Sequence, residues 1–363
     1  MTVDRRHVIS FDWFWLLALL ALAAFGALAI WSARPGTGLD SYFGRQLLYI
    51  GIGLAVLLVA VAFDYHFYSD YIILFYLGGI AVLVLTLVTG RTIHNSKSWI
   101  SLGSVALQPS ELVKVAAIVA LAKYYSGIER DYLDLRDLIV GGLIVLAPML
   151  LVVAQGDLGT AVTFAPIFVA IAFMMGLRRK YVLVSILAVV VASPVAWMTL
   201  KEYQRGRIQM VFKPELDPHH LGYQTIQSEI AIGSGRFLGK GFKQGSQSQL
   251  GFLPARHTDF VFAVLSEERG FAGSIVVLSL FLFVSVRLLR TAREAKDRVG
   301  ALVATGVLAL FLFHVMINVG MVVGLLPIAG IPLPLVSAGG SSLISWFAAM
   351  GLCMNVRMRR YVN

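Results

Sequence analysis

Five stretches of this chain, Trp13–Ala33, Tyr71–Gly90, Leu138–Gly156, Leu158–Leu177 and Tyr181–Leu200, contain no Asp, Glu, Lys or Arg. A helix needs about 20 such residues to cross the hydrocarbon core of a bilayer. Backbone N–H and C=O groups find no water there, so only helices and closed barrels can span. Uninterrupted apolar blocks of this length predict helices, because barrel strands are shorter and alternate. Composition agrees: 58% of the residues are hydrophobic and 14% charged, whereas a water-soluble domain carries roughly a quarter charged residues.

The expected fold class is an all-α polytopic membrane protein, a single domain over residues 1–363. About ten transmembrane helices are predicted, near 12–33, 43–63, 71–90, 108–125, 138–155, 158–177, 180–200, 264–288, 299–325 and 339–356. One long extracytoplasmic loop, about 201–257, joins the seventh to the eighth. With the N-terminus cytoplasmic, the inner segments hold sixteen Lys and Arg, from Arg5 and Arg6 to Arg357, Arg359 and Arg360. The short outer loops hold only four: Arg34, Arg45, Arg91 and Lys97. That asymmetry places both termini inside. It also accounts for most of the net charge of +10, so no nucleic-acid partner is implied. Arg5 and Arg6 precede the first apolar block as in a signal peptide, but the block lacks a small-x-small cleavage site and is read as a retained span. The single cysteine, Cys353, excludes an internal disulfide.

Two segments break the span-and-short-loop pattern, and both face outside. From Lys201 to Arg256 the long loop has eight basic and four acidic residues; its stretch Gln224–Ile232 has a helical apolar pattern, predicting short helices on the membrane surface. Residues 326–340, LPIAGIPLPLVSAGG, contain three prolines, three glycines and no charge. Such irregular backbone is tolerated at membrane depth only inside protein or lining a cavity.

Candidate chemistry concentrates on a few polar residues. Glu111 and Lys114, three apart on one helical face, form either the wall of a substrate cavity or an internal ion pair. Asp157 is read as the N-cap of the sixth span. His314 and Asn318, four apart, suggest interhelical hydrogen bonding, since no further ligand clusters there for a metal. The glycine-rich Gly233–Gly241 segment has the wrong spacing for a nucleotide-binding loop, yet with Arg236, Lys240 and Lys243 it suits a pyrophosphate headgroup. Asp259, at the end of the basic loop and beside apolar residues, is either a general base or a helix cap. No acidic cluster suggests a dedicated metal site, no cofactor is evident, and dependence on a divalent cation is not readable.

Several segments resemble the SEDS family (shape, elongation, division and sporulation), in its RodA-type branch. They are Ser98-Trp99-Ile100, Gln108-Pro-Ser-Glu-Leu-Val-Lys114, Asp157-Leu-Gly-Thr-Ala161, Gly222-Tyr-Gln…Gln227-Ser228, Ala231-Ile-Gly-Ser-Gly235, Phe252-Leu-Pro254, His257-Thr-Asp-Phe260, Glu267-Glu268-x-Gly270 and the long Asn318…Ser342 run. The chain departs from the family pattern at Gly156, at Ala255-Arg256 and at Ala338. The resemblance implies a peptidoglycan glycosyltransferase acting in cell elongation at the bacterial cytoplasmic membrane. Its substrates would be lipid II and the growing lipid-linked glycan, and its partner a class B penicillin-binding protein that cross-links the product. It also implies that Asp259 is the catalytic residue. Trp99, Glu111, Lys114, His257, Thr258, Ser337, Gly339, Gly340 and Ser341 would line the cavity, with Arg205, Arg207, Lys240 and Lys243 of the basic loop meeting the pyrophosphate. A flippase for the same lipid is the alternative.

Overall fold

The structure is a computed structural model and describes residues 11–33, 39–93, 96–102, 105–199, 205–206, 209 and 221–361. Arg5, Arg6, Arg34, Lys201, Arg207 and Lys213 lie outside the described residues. The chain is a polytopic helical bundle. Its helices are α1 (Trp13–Ser32), α2 (Leu39–Ala62), α3 (Tyr65–Asp70), α4 (Ile72–Thr89), α5 (Pro109–Ser126), α6 (Leu135–Ala154), α7 (Leu158–Val162), α8 (Phe164–Met174) and α9 (Arg179–Thr199). Beyond the basic loop's α10 (Leu221–Ser234) and α11 (Ser246–Gln249) come α12 (Val261–Glu294), α13 (Arg298–Val322) and α14 (Gly340–Met358). A helix occupies each of the ten expected segments. Among the described residues, six are long and apolar enough to cross a membrane by length and composition: α1, α2, α4, α6, α12 and α13. The expected sixth span is divided at Thr163 into α7 and α8.

Helix α13 is central, packing against α12, α8, α5 and α14, while α14 lies along α2. Ring contacts Phe281–Phe311 and Phe311–Trp346 tie α12, α13 and α14 together. Outward faces keep large apolar residues exposed, including Ile73, Leu74, Val88, Leu183 and Leu187, as a lipid-facing surface requires. Helix α9 packs only marginally on the other described elements.

Two features were not expected from sequence. A three-stranded antiparallel sheet, β1 (Arg91–Ile93), β2 (Ser96–Leu102) and β3 (Val105–Leu107), connects α4 to α5. The other lies in α12, which is broken at Gly270 (φ 66°, ψ −163°). Residues of the glycine-rich loop segment dock into that break. Phe271 and Ala272 N–H donate to the Arg236 and Phe237 carbonyls, at 2.8 and 3.0 Å. In return, Lys240 and Gly241 N–H donate to the Glu267 and Glu268 carbonyls, each at 3.0 Å. The kink leaves helical groups without helical partners, and the loop's main chain supplies them. A Cβ on Gly270 would run into Gly239 N and Phe237 O, and φ is positive there, so glycine is required twice over.

Candidate active site

Asp259 lies in a turn just before α12. The N–H groups of Thr258 and Asp259 both donate to the Ala255 carbonyl, at 3.1 Å each. Ala255 adopts φ 46°, and its carbonyl also accepts from the Thr258 hydroxyl at 3.2 Å and from Phe260 N–H at 3.4 Å. The N-cap position of α12 is held by Phe260, one residue later. Asp259 is partly exposed, while Phe260 behind it is fully buried. Asp259 is thus a partly exposed residue backed in sequence by a buried apolar helix head.

The proline-rich segment that precedes α14 clamps this turn. The Ser337 hydroxyl donates to the Thr258 carbonyl at 2.6 Å and accepts from Leu333 N–H at 2.8 Å. Ala338 N–H donates to the His257 carbonyl at 2.9 Å. The His257 ring meets Tyr42 of α2 edge-on, with centroids 4.9 Å apart. From α13 the Asn318 amide donates to the Asp259 carbonyl at 3.0 Å and to the Ile331 carbonyl at 2.8 Å. Leu335, buried and at φ 65°, is held in a left-handed conformation that costs a non-glycine residue about 1–3 kcal/mol. That strain persists because the packing around it dictates the path, with Gly26 of α1 seated against the Val336 carbonyl.

Beneath the clamp lies the buried ion pair. Lys114 Nζ is 2.7 Å from Glu111 Oε1, and the two residues are 1% and 4% exposed. Of the two sequence readings the internal pair is therefore present. The Glu111 carbonyl also accepts from Ser345 of α14 at 2.6 Å, and Lys114 Nζ reaches His314 Nε2 at 3.4 Å. At the head of α5, Gln108 N–H donates to Ser341 Oγ at 2.7 Å, and its side chain donates to Asp157 Oδ2 at 2.8 Å. Asp157 caps α7 by accepting from Thr160 N–H at 3.0 Å, as expected.

The structure thus gathers Asp259, His257, Thr258, Ser337 and, through α14, Gly339, Gly340 and Ser341 around one end of the bundle, with Glu111 and Lys114 below. Gly339 is the N-cap of α14, and Gly340 lies against the Tyr49 ring. Trp99 stands on β2, paired in register with Arg91. The basic loop residues are engaged elsewhere. Lys240 Nζ lies 2.8 Å from the buried Glu267, Lys243 Nζ stacks 4.0 Å above the Trp31 ring, and Arg205 donates to the Trp197 and Met198 carbonyls at the end of α9. Arg207 lies outside the described residues. The glycine-rich segment uses the N–H groups of Lys240 and Gly241 on α12.

Glu267 and Glu268 form a second buried polar centre, one that the sequence marked only as a motif. Glu267 accepts from Gln247 N–H at 2.9 Å and Ser248 N–H at 3.0 Å; Glu268 accepts from Ser32 Oγ and from Lys243 N–H at 3.2 Å. Two adjacent acids at the head of an apolar helix were the available signal, since such charges persist only when partnered.

Comparison with known proteins places this geometry. The family model of the cell cycle proteins FtsW, RodA and SpoVE matches residues 11–362. The chain is 38% identical over 361 residues to the peptidoglycan glycosyltransferase MrdB of Escherichia coli (strain K12), covering 98% of this chain and 95% of that one. It is 33% identical to the peptidoglycan glycosyltransferase RodA of Treponema pallidum, covering 98% and 99%. Among solved structures it superposes on a chain of a peptidoglycan synthase complex that coordinates polymerization and crosslinking, with TM-score 0.83 and 30% identity over 97% of this chain and 99% of that one. The rod shape determining protein RodA of Thermus thermophilus gives TM-score 0.73 and 28% identity over 97% and 98%. The chain belongs to the FtsW, RodA and SpoVE family of cell cycle proteins, the SEDS family whose motifs its sequence carries.

Proposed function

We propose that this protein polymerises lipid II into glycan strands on the outer face of the bacterial cytoplasmic membrane, with both termini in the cytoplasm and with Asp259 as general base. The observation that carries the reading is the position of Asp259. It is a partly exposed residue on a turn fixed by α13 and by the proline-rich segment, in a chain whose relatives along its whole length are named peptidoglycan glycosyltransferases. Extension is an inverting displacement. Asp259 takes the proton of the acceptor sugar's 4-hydroxyl as that oxygen bonds to the donor's anomeric carbon, and the bond from that carbon to the lipid pyrophosphate breaks. Pyrophosphate leaves without needing a proton, so one base suffices. Its charge is met by cations of the outer loop, Arg207 among them.

Both substrates stay anchored in lipid, so the site opens sideways to the bilayer. The marginal packing of α9 supports that side as the entrance. A class B penicillin-binding protein is the proposed partner, supported by the likeness to a chain of a synthase complex. Purified protein given lipid II in detergent tests the reading, with products resolved on a gel. A polymerase makes long glycan there; a flippase has no bilayer to work across and makes none.

A further inference from the structure

One face of α13 touches both segments that form the Asp259 site. His314 and Asn318 are one helical turn apart, buried, and aimed the same way. Asn318 Nδ2 donates to the Asp259 and Ile331 carbonyls, at 3.0 and 2.8 Å. The two acceptors fix the amide's orientation, since its oxygen facing two carbonyl oxygens would be repelled. The neighbouring carbonyl, that of Pro332, lies 3.2 Å from His314 Nδ1. On the ring's other side Nε2 faces the Lys114 ammonium at 3.4 Å. An ammonium has no acceptor, so Nε2 carries the lone pair and Nδ1 the proton that Pro332 receives. Lys114 is held in turn by Glu111, and Trp346 packs edge-on against the ring with centroids 5.2 Å apart.

We propose that Asn318 and His314 are positioning residues for the Asp259 base: α13 holds the Asp259 turn and the proline-rich segment to a common origin through three adjacent carbonyls, those of Asp259, Ile331 and Pro332. The inference rests on the polymerase reading. Neither residue touches the reacting atoms; each acts on main chain that carries Asp259 or is hydrogen-bonded to its turn. Asn318 is the direct link. His314 sets the register of the proline-rich segment, and the buried Glu111–Lys114 pair sets the tautomer with which it does so. A base displaced by about an ångström from an attacking hydroxyl loses up to about a hundredfold in rate, while the sugar and lipid contacts that determine binding stay in place.

The test uses the full-length protein in detergent, lipid II as substrate, initial rates over a range of substrate, and the folded fraction from size exclusion and thermal melting. Asn318→Ala is expected to lower kcat by about tenfold or more, with KM within about twofold of wild type. Two substitutions at His314 supply the second arm. Asparagine puts an amide N–H where Nδ1–H stands and should retain more than a third of wild-type kcat. Glutamine reproduces the Nε2 side instead and should fall with Asn318→Ala. If Asn318→Ala does not fold, the His314 pair decides. The proposal is overturned if folded Asn318→Ala keeps kcat within twofold, if its deficit follows folded fraction or KM alone, or if asparagine and glutamine at 314 behave alike. Wild-type protein that makes no glycan would instead sink the polymerase reading, and this inference with it.

Discussion

Ser337 and Thr258, 79 residues apart in the chain, are joined by a hydrogen bond of 2.6 Å from the Ser337 hydroxyl to the Thr258 carbonyl. The same oxygen accepts from Leu333 N–H at 2.8 Å, so one buried hydroxyl ties the residue before Asp259 to a turn of the proline-rich segment. Ser337→Ala removes this partner from the part-buried Thr258 carbonyl and from the buried Leu333 N–H. The expected cost is about 1–3 kcal/mol, read as a lowered melting temperature in detergent, together with slower polymerisation. Unchanged melting and rate would remove Ser337 from the clamp.

Asp259→Asn separates a base from a merely well-placed side chain. The substitution is nearly isosteric and leaves the Asn318 bond, which goes to the main chain, untouched. Asparagine has no titratable carboxylate and takes no proton from a hydroxyl near neutral pH. The variant should fold like wild type and polymerise lipid II slower by about two orders of magnitude or more. Asp259→Glu should be nearly as poor, since one methylene moves the carboxylate by about an ångström. Half the wild-type rate in purified Asp259→Asn would place the base elsewhere.

The Glu111–Lys114 pair is 4% and 1% exposed, so neither charge has water to fall back on. Removing one partner by substitution to Ala should destabilise the protein by about 3–5 kcal/mol. The exchange Glu111→Lys with Lys114→Glu restores a pair on the same helix face and should recover part of the loss in melting temperature. It should recover less of the activity, because the exchange puts a carboxylate where the ammonium now meets His314. Full recovery of both would make the direction of the pair irrelevant.

The expected orientation is open to cysteine labelling in intact cells. Arg207→Cys should react with an impermeant thiol reagent, whereas Arg179→Cys and Arg293→Cys should not. The native Cys353 is buried and contributes no background. Labelling at residue 293 would invert the topology and put the Asp259 site on the wrong side of the membrane.

The helices were legible because lipid enforces one simple rule on every span, and a block without charge cannot be read as anything else. The β1–β3 sheet was not: Ser98-Trp99-Ile100-Ser101-Leu102 lacks strict alternation and is too short to stand out between two spans. Asp259 was named from the sequence, and the spacing of His314 and Asn318 gave their shared face. Their partners were hidden, being main-chain carbonyls, which look alike in any sequence. Lys240 was assigned to a phosphate and is found on Glu267, because a carboxylate with no exposed surface needs a cation more than a solvated headgroup does. Charge counting along a loop does not reveal which acid on a distant helix is buried.

The break at Gly270 bears on how the protein is made. The groups that satisfy α12 there belong to residues 236–241, which leave the ribosome before α12 does. Until that strip has folded back onto the helix, α12 has main-chain donors and acceptors with no partner at the break, an expensive state next to hydrocarbon. Insertion of this helix and folding of the loop before it are therefore one cooperative event, and a defect in the loop should surface as a helix that is poorly retained by the membrane.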